Sequence, residues 1–280
     1  MIIFDLDDDE SDRSSRPRKN RSHRYVWHGV NLLDKLYRKF KHFLYTSYYS
    51  ARDVNYSYGF YPTSKDSHGV SFRSYEILNL HGNDDLLKVM LNDCDDNSVV
   101  FDIGANIGTY SLALASKYTD SDIIAIEPNI EVFKKLEMNL ESNELDNLKI
   151  YNLGISDQDG KKPFYISSYQ EASSFNRKIS KRWGGNIRSV KKVDVKKLDT
   201  FVEETEKRPD RIKLDVEGHG LKVLKGGKQT LEDLKPSIYL ERHEVGSEKN
   251  EAVLEEFLKE RDYSINKRGM DWICLPRDSK

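Results

Sequence analysis

Asp102, Gly104, Asn106 and Gly108 recur at every second position directly after the apolar run Val99-Val100-Phe101. The run reads as a buried strand, and the glycines let the backbone turn tightly and approach a ligand. A second apolar run, Ile123 to Ile126, ends in Glu127, followed by Pro128-Asn129. An acid about 20 residues beyond such a turn is placed to accept from both hydroxyls of a ribose. A dinucleotide fingerprint would be G-x-G-x-x-G, but here Asn106 replaces the second glycine and a carboxylate precedes the turn. That carboxylate would repel a pyrophosphate and suits a cationic ligand. The bland alternative is a tight turn after a strand, with no ligand at all.

A second dense stretch runs from Arg211 to Gly227. A short strand ends in Lys213-Leu214-Asp215-Val216-Glu217-Gly218-His219-Gly220, and a helix follows. The next strand, Ile238-Tyr239-Leu240, ends in Glu241-Arg242-His243. In an open parallel sheet both strand ends lie at the rim where ligands bind. Asp215, Glu217, Glu241, His219 and His243 are therefore candidates to converge there. Taken singly, each has a structural alternative: Asp215 could cap the following helix, Glu217 could pair with Lys213, and His219 could be solvated. Lys213 falls within a buried strand pattern and needs a carboxylate partner.

The glycine turn with its acid resembles the class I S-adenosylmethionine-dependent methyltransferases, whose donor is a cationic sulfonium. The second stretch is similar to the FkbM family of methyltransferases. That family carries I-K-x-D-V-E-G-x-E-x-x-V-L-x-G, a preceding Leu-Asp and a following Pro-x-x-x-x-E. Here Leu198-Asp199, Ile212 to Gly226, and Pro236 with Glu241 stand in those places. Asn152 to Asp157 occupies the region after the third strand. One departure is that Gly220 stands where the family has its second glutamate.

The resemblance implies S-adenosylmethionine as cofactor. Asp102 would face the amino-acid end of the donor, and Gly104, Asn106 and Gly108 would shape the turn. Glu127 would hold the ribose with Asn129 nearby, and Ser156 and Asp157 would meet the adenine. It also implies a hydroxyl acceptor on a sugar, glycan or natural-product scaffold. An alcohol is a poor nucleophile, so a base must take its proton. His243, His219 and Glu217 are candidates. A divalent metal held by Asp215, Glu217 and Glu241 is the other route.

These residues need a scaffold. Strands are expected near 99–103, 123–127, 148–153, 211–215, 237–241, 262–266 and 272–275. Helices are expected near 75–91, 109–118, 129–142, 220–233 and 248–260. The alternation predicts a mainly parallel seven-stranded sheet with helices on both faces, an α/β Rossmann-like fold. The last two strands are too closely spaced for a crossover and must form an antiparallel hairpin. An insertion at 160–195 carries hairpin-like runs around Phe164 and Val190, with a basic and aromatic stretch between them. Such an insertion can shape substrate choice; its basic and aromatic stretch could hold an anionic or glycan acceptor or be a solvated loop.

The 280 residues divide into a charged, disordered tail (1–24), a helical and tyrosine-rich extension (25–95) and a catalytic domain (96–280). A helix over 30–45 has apolar residues at helical spacing and lysines elsewhere. It could pack on the domain or contact an anionic membrane peripherally. Net charge is −2, so no global field favours nucleic acid. The stretch after the fourth strand also lacks the Asn/Asp-Pro-Pro-aromatic pattern of amine-directed enzymes. Two cysteines, no membrane-length apolar run and no signal pattern point to the cytoplasm. A nucleic-acid methyltransferase and a non-catalytic binding protein of the same fold are the alternatives.

Overall fold

The computed structural model describes residues 22–242 and 248–277. Helix α1 (Ser22–Tyr58) is followed by strands β1 (Thr63–Ser67) and β2 (Val70–Ser74) and by α2 (Asp85–Asp93). The alternating core begins with β3 (Val99–Ile103), α3 (Thr109–Lys117), β4 (Asp122–Ile126), α4 (Ile130–Glu141) and β5 (Leu148–Tyr151). An inserted sheet comprises β6 (Gly154–Ser156), β7 (Gly160–Ser167) and β8 (Ile187–Lys197). Two 3-10 turns, Gln170–Ala172 and Ile179–Gly184, lie between β7 and β8. The core resumes with α5 (Leu198–Thr205), β9 (Arg211–Leu214), α6 (Gly220–Gly226), α7 (Lys228–Asp233) and β10 (Ser237–Glu241). It closes with α8 (Glu248–Lys259), β11 (Tyr263–Arg268) and β12 (Asp271–Pro276).

The seven core strands are ordered β11-β12-β10-β9-β3-β4-β5. The five from β10 to β5 are parallel, and β12 runs antiparallel to both β10 and β11. Only Gly269 and Met270 separate β11 from β12, which leaves no room for a crossover. Strand alternation divides the core into two layers. Phe101, Ile103, Ile212, Leu214, Ile238 and Leu240 pack beneath Phe201, Leu224, Leu231 and Leu258. On the other face Val100, Ile123, Ala125 and Tyr239 meet Leu87, Met90, Leu112 and Leu136. Burying each large apolar side chain contributes ~1.5–3 kcal/mol.

The N-terminal third departs from the sequence reading. No helix forms at 75–84, and α2 starts only after its N-cap Asp84. The tyrosine-rich segment extends α1 to Tyr58 and then makes the β1–β2 hairpin. Its two-residue turn uses His68 (φ 53°) and Gly69 (φ 86°), the left-handed pair that matches strand twist. Phe72, Leu86, Leu87, Met90 and Leu91 belong to the core layer under α3. Phe72 and the buried face of α2 are thus part of the same core layer as the sheet.

By contacts the chain divides into Met1–Ala51 and Arg52–Lys280. In the first unit Leu36, Tyr37, Phe40, Phe43 and Leu44 are exposed. The charged tail expected at 1–24 lies outside the described residues up to position 21. No described helix is long and apolar enough to cross a membrane. Cys94 and Cys274 are both free and buried, and burial pushes each thiol up to about 12. The single helix expected over 220–233 is divided at Gly227, where a Cβ would lie 2.5 Å from Leu198 Cδ2.

Asn139 of α4 joins the N-terminal segment to the glycine turn. Its Nδ2 donates to Tyr56 Oη (2.9 Å) and to Ile107 O (2.8 Å). Its Oδ1 accepts from Tyr75 N (3.0 Å) and Ser74 Oγ (3.2 Å). The side chain is fully buried, so removing it strands four polar groups away from water. Asn139→Ala is expected to lower unfolding free energy by ~2–4 kcal/mol in urea titration, whereas Lys134→Ala on the exposed side of the same helix stays within ~0.5 kcal/mol.

Candidate active site

Strands β3 and β9 are neighbours, but the chain leaves them toward opposite edges of the sheet. A crevice opens at their carboxyl ends, as it does wherever strand order reverses. Gly104 (φ 84°), Asn106 (φ 53°) and Gly108 (φ 90°) carry the chain from β3 into α3. A Cβ on Gly104 would lie 1.8 Å from the Asp215 carbonyl oxygen, so only glycine lets the two loops touch.

Glu127, at the end of β4, is buried yet held in place. Its Oε2 accepts from Asn106 N (3.1 Å) and its Oε1 from Asn129 N (2.8 Å). Burial pushes its carboxyl up to about 7, against the pull of those two N–H groups. Asn129 caps α4 by accepting from Glu131 N (3.2 Å). That bond fixes its amide orientation and leaves the buried Nδ2 with no hydrogen-bond partner among the described residues. Asn152 supports the same loop by donating to Glu127 O (2.8 Å). A buried carboxylate beside an unpartnered amide donor fits the ribose and base of a nucleoside.

Asp102 does not face the crevice as expected. Strand alternation turns it onto the face covered by α3, where it is fully buried. Ser111 Oγ donates to it at 2.6 Å, and Lys213 Nζ lies 3.2 Å away. The pairing follows from register, since Asp102 and Lys213 are direct partners across β3 and β9. Lys213 also reaches Asp215 (3.7 Å) and lies 4.6 Å above the Tyr110 ring. Burial disfavours its charge, but Asp102, Asp215 and Glu241 together hold its pKa above the ordinary lysine value.

The loop after β9 is fastened to the insertion. Glu217 adopts a left-handed backbone (φ 46°) and pairs with Arg182 (3.2 Å), not with Lys213. Its carbonyl accepts from Ser174 Oγ (2.8 Å). His219 is neither solvated nor open to a substrate. It is the backbone N-cap of α6, is buried, packs against Phe175 with ring centroids 4.6 Å apart, and bonds Ser156 Oγ at 2.9 Å. Burial, reinforced by Lys222 and Lys162, pushes it down to about 3, so it is neutral. His219, not Asp215, occupies the N-cap position of α6 (Gly220–Gly226).

Ser156 is fully buried and accepts from Lys162 Nζ (2.7 Å), so its hydroxyl is committed inside the fold rather than to an adenine. Asp157 pairs with the same lysine, which outweighs desolvation and holds its carboxyl down at about 2. His243 lies outside the described residues. Among the described residues no group of three His, Cys, Asp or Glu is arranged to hold a metal ion, Asp215, Glu217 and Glu241 included. At Gly220 a Cβ would rest 3.5 Å from Leu240 and 3.6 Å from Leu214, ordinary contacts with the apolar layer.

Sequence reasoning missed the acids and imidazole that the N-terminal segment brings to this rim. His81 Nδ1 lies 3.1 Å from Asp84 Oδ2, to which Tyr110 Oη also donates at 3.4 Å. Its surroundings lower its pKa, but the bond and charge of Asp84, with Glu171 and Glu241, more than offset this and push it up to about 9. His81 lines a cleft with Arg52, Glu76, Asn106, Thr109 and Glu171. An N-cap signal at Asp84, ahead of Leu86, Leu87, Met90 and Leu91, was the available clue.

A buried ion pair contributes little net stability, but breaking one leaves a stranded charge. Lys213→Met is expected to cost ~3–5 kcal/mol in urea unfolding, and Asp102→Asn in the same chain should restore much of it.

The family profile for the methyltransferase FkbM domain matches residues 102–265. The hexuronic acid methyltransferase AglP of Haloferax volcanii is 29% identical over 161 residues, which are 57% of this chain and 62% of the relative. The chain thus matches about three fifths of that relative's length. The methyltransferase sdnD of Sordaria araneosa is 28% identical over 204 residues, covering 63% of this chain and 77% of the relative. The crystal structure of methyltransferase FkbM from Methylobacillus flagellatus superposes with a TM-score of 0.47 at 18% identity, covering 65% of this chain and 44% of that one. The profile spans the glycine turn, Glu127, the loop after β9 and the start of β11, and by that match the chain belongs to the FkbM methyltransferase family.

Proposed function

We propose that this chain transfers a methyl group from S-adenosylmethionine to a hydroxyl oxygen of a sugar, glycan or natural-product acceptor. The observation that carries the reading is Glu127, a buried carboxylate held by two backbone N–H groups beside the unpartnered Asn129 Nδ2. The family match supports the reaction class, and the hexuronic acid methyltransferase among the relatives supports a sugar acceptor. When bound, S-adenosylmethionine supplies an electrophilic methyl carbon whose leaving group is a neutral thioether.

The chain's own residues orient the reactants and move a proton. Glu127 accepts from the ribose hydroxyls, and Asn129 Nδ2 donates to the base. Asp215 and Glu217, paired with Lys213 and Arg182, accept from acceptor hydroxyls at the rim. His219 is removed as a base by its burial and its bond to Ser156. In this reading His81 takes the proton of the attacking hydroxyl at Nε2, with Asp84 fixing the ring through Nδ1.

Two outcomes test this. Calorimetric titration of S-adenosylhomocysteine should show tighter binding as pH rises through about 7, because ionised Glu127 is the better acceptor. Glu127→Ala should weaken that binding at least about tenfold, and Glu127→Gln should flatten its pH dependence. Transfer to simple uronic acid glycosides should accelerate as pH rises toward about 9, the range in which His81 loses its proton. His81→Gln should lower kcat roughly 100-fold while leaving S-adenosylhomocysteine affinity unchanged. A full rate in His81→Gln and loss in His243→Gln would move the base to His243.

A further inference from the structure

Between positions 160 and 197 the chain carries eleven lysines and arginines against two acids, although its net charge is −2. Arg177, Lys178, Lys181, Arg188, Lys191 and Lys192 are exposed. None of these six makes an ion pair among the described residues. Solvated cations are ordinary on a surface; their placement here is not scattered. Lys178 and Lys181 are three residues apart on a 3-10 turn, a spacing that stacks them on one edge. Ile179 and Ser180 between them are buried. Ser180 Oγ donates to Tyr165 O (3.2 Å), and Tyr165 pairs with Val190 on β8. Arg188 lies in the register shift of that strand pair, an irregularity that turns a side chain out of the ladder.

The same turn is fixed to the catalytic rim. Arg182 pairs with Glu217, and a Cβ on Gly218 would meet Ile179 Cδ1 at 2.2 Å. The unpaired cations therefore begin one residue from a side chain that already touches the rim.

We infer that Arg177, Lys178, Lys181, Arg188 and Lys192 form a cationic track that holds an anionic, carboxylate-bearing oligosaccharide running away from the acceptor sugar. This rests on the reading that the acceptor hydroxyl belongs to a sugar. A nucleic acid strand is the other polyanion to weigh. Single strands are held by stacking on exposed aromatic rings, and among the described side chains of the insertion no aromatic ring is exposed.

The test is anisotropy of fluorescein-labelled tetragalacturonate on the full chain with S-adenosylhomocysteine present. Tetragalacturonate should bind with an affinity that falls as salt rises, and labelled maltotetraose should not. Replacing Lys178, Lys181 and Arg188 by glutamine should weaken binding about tenfold, with Tm and S-adenosylhomocysteine affinity unchanged. Lys134→Gln with Lys228→Gln and Arg268→Gln, the same charge removed elsewhere, should leave it intact. Equal binding of the neutral and charged sugars, or equal loss in both triple variants, would overturn the track. Tighter binding of decathymidylate through the same residues would overturn it in favour of nucleic acid. Failure of the wild-type chain to bind S-adenosylhomocysteine would strike the methyl-transfer reading instead, while the sugar comparison still decides the track.

Discussion

Two opposite charges locked side by side in the middle of the sheet set the geometry of the site. Asp102 and Lys213 are register partners on the strands that flank the switch point, and both are almost completely buried. A charge left without its partner at that depth would be stranded from water, so each side chain requires the other. The cost of holding them there is offset by position. Lys213 extends the link to Asp215 at the mouth of the crevice, and Ser111 ties Asp102 to the first turns of α3. The loops after β3 and β9 are thereby held close enough for Gly104 to meet the Asp215 carbonyl.

The insertion acts as a second clamp. His219, Ser156, Asp157 and Lys162 form one internal network, and Phe175 covers the imidazole. Residues that in sequence look like chemistry are here the fastening between the inserted sheet and the loop after β9. Their polarity is consumed internally, which follows from the general need to satisfy buried polar groups. Glu217 shows the same economy, since its backbone anchors Ser174 while its carboxylate meets Arg182.

The N-terminal segment completes the rim from the opposite side. Asn139 connects Tyr56, Ser74 and Tyr75 to the glycine turn, and Asp84 joins His81 to Tyr110. Tyr110 in turn lies under the Lys213 ammonium. A substrate entering the cleft beside Asn106 and Thr109 would meet groups drawn from three distant parts of the chain.

The alternating core was readable because its signals are local. Apolar runs of strand length, glycines at fixed intervals and acids at strand ends depend only on neighbours in the chain. They placed the seven strands, the closing hairpin, the turn at Gly104–Gly108, Glu127 at the end of β4 and Lys213 as a buried cation in need of a carboxylate. The hairpin at 63–74 and the late start of α2 were missed because tyrosines and charged residues there give neither period clearly. Which way a polar side chain faces was beyond the sequence. Asp102 turned inward, Ser156 and His219 were buried by the insertion, and His81 arrived at the rim from a segment with no motif. Sequence alone determined the strands, their order of appearance and the glycine turn after β3, since those follow from backbone preference and periodicity. Tertiary structure alone decided which acids pair, which histidine is sealed and which remains open, because burial and partner choice depend on residues that meet only when the chain is folded.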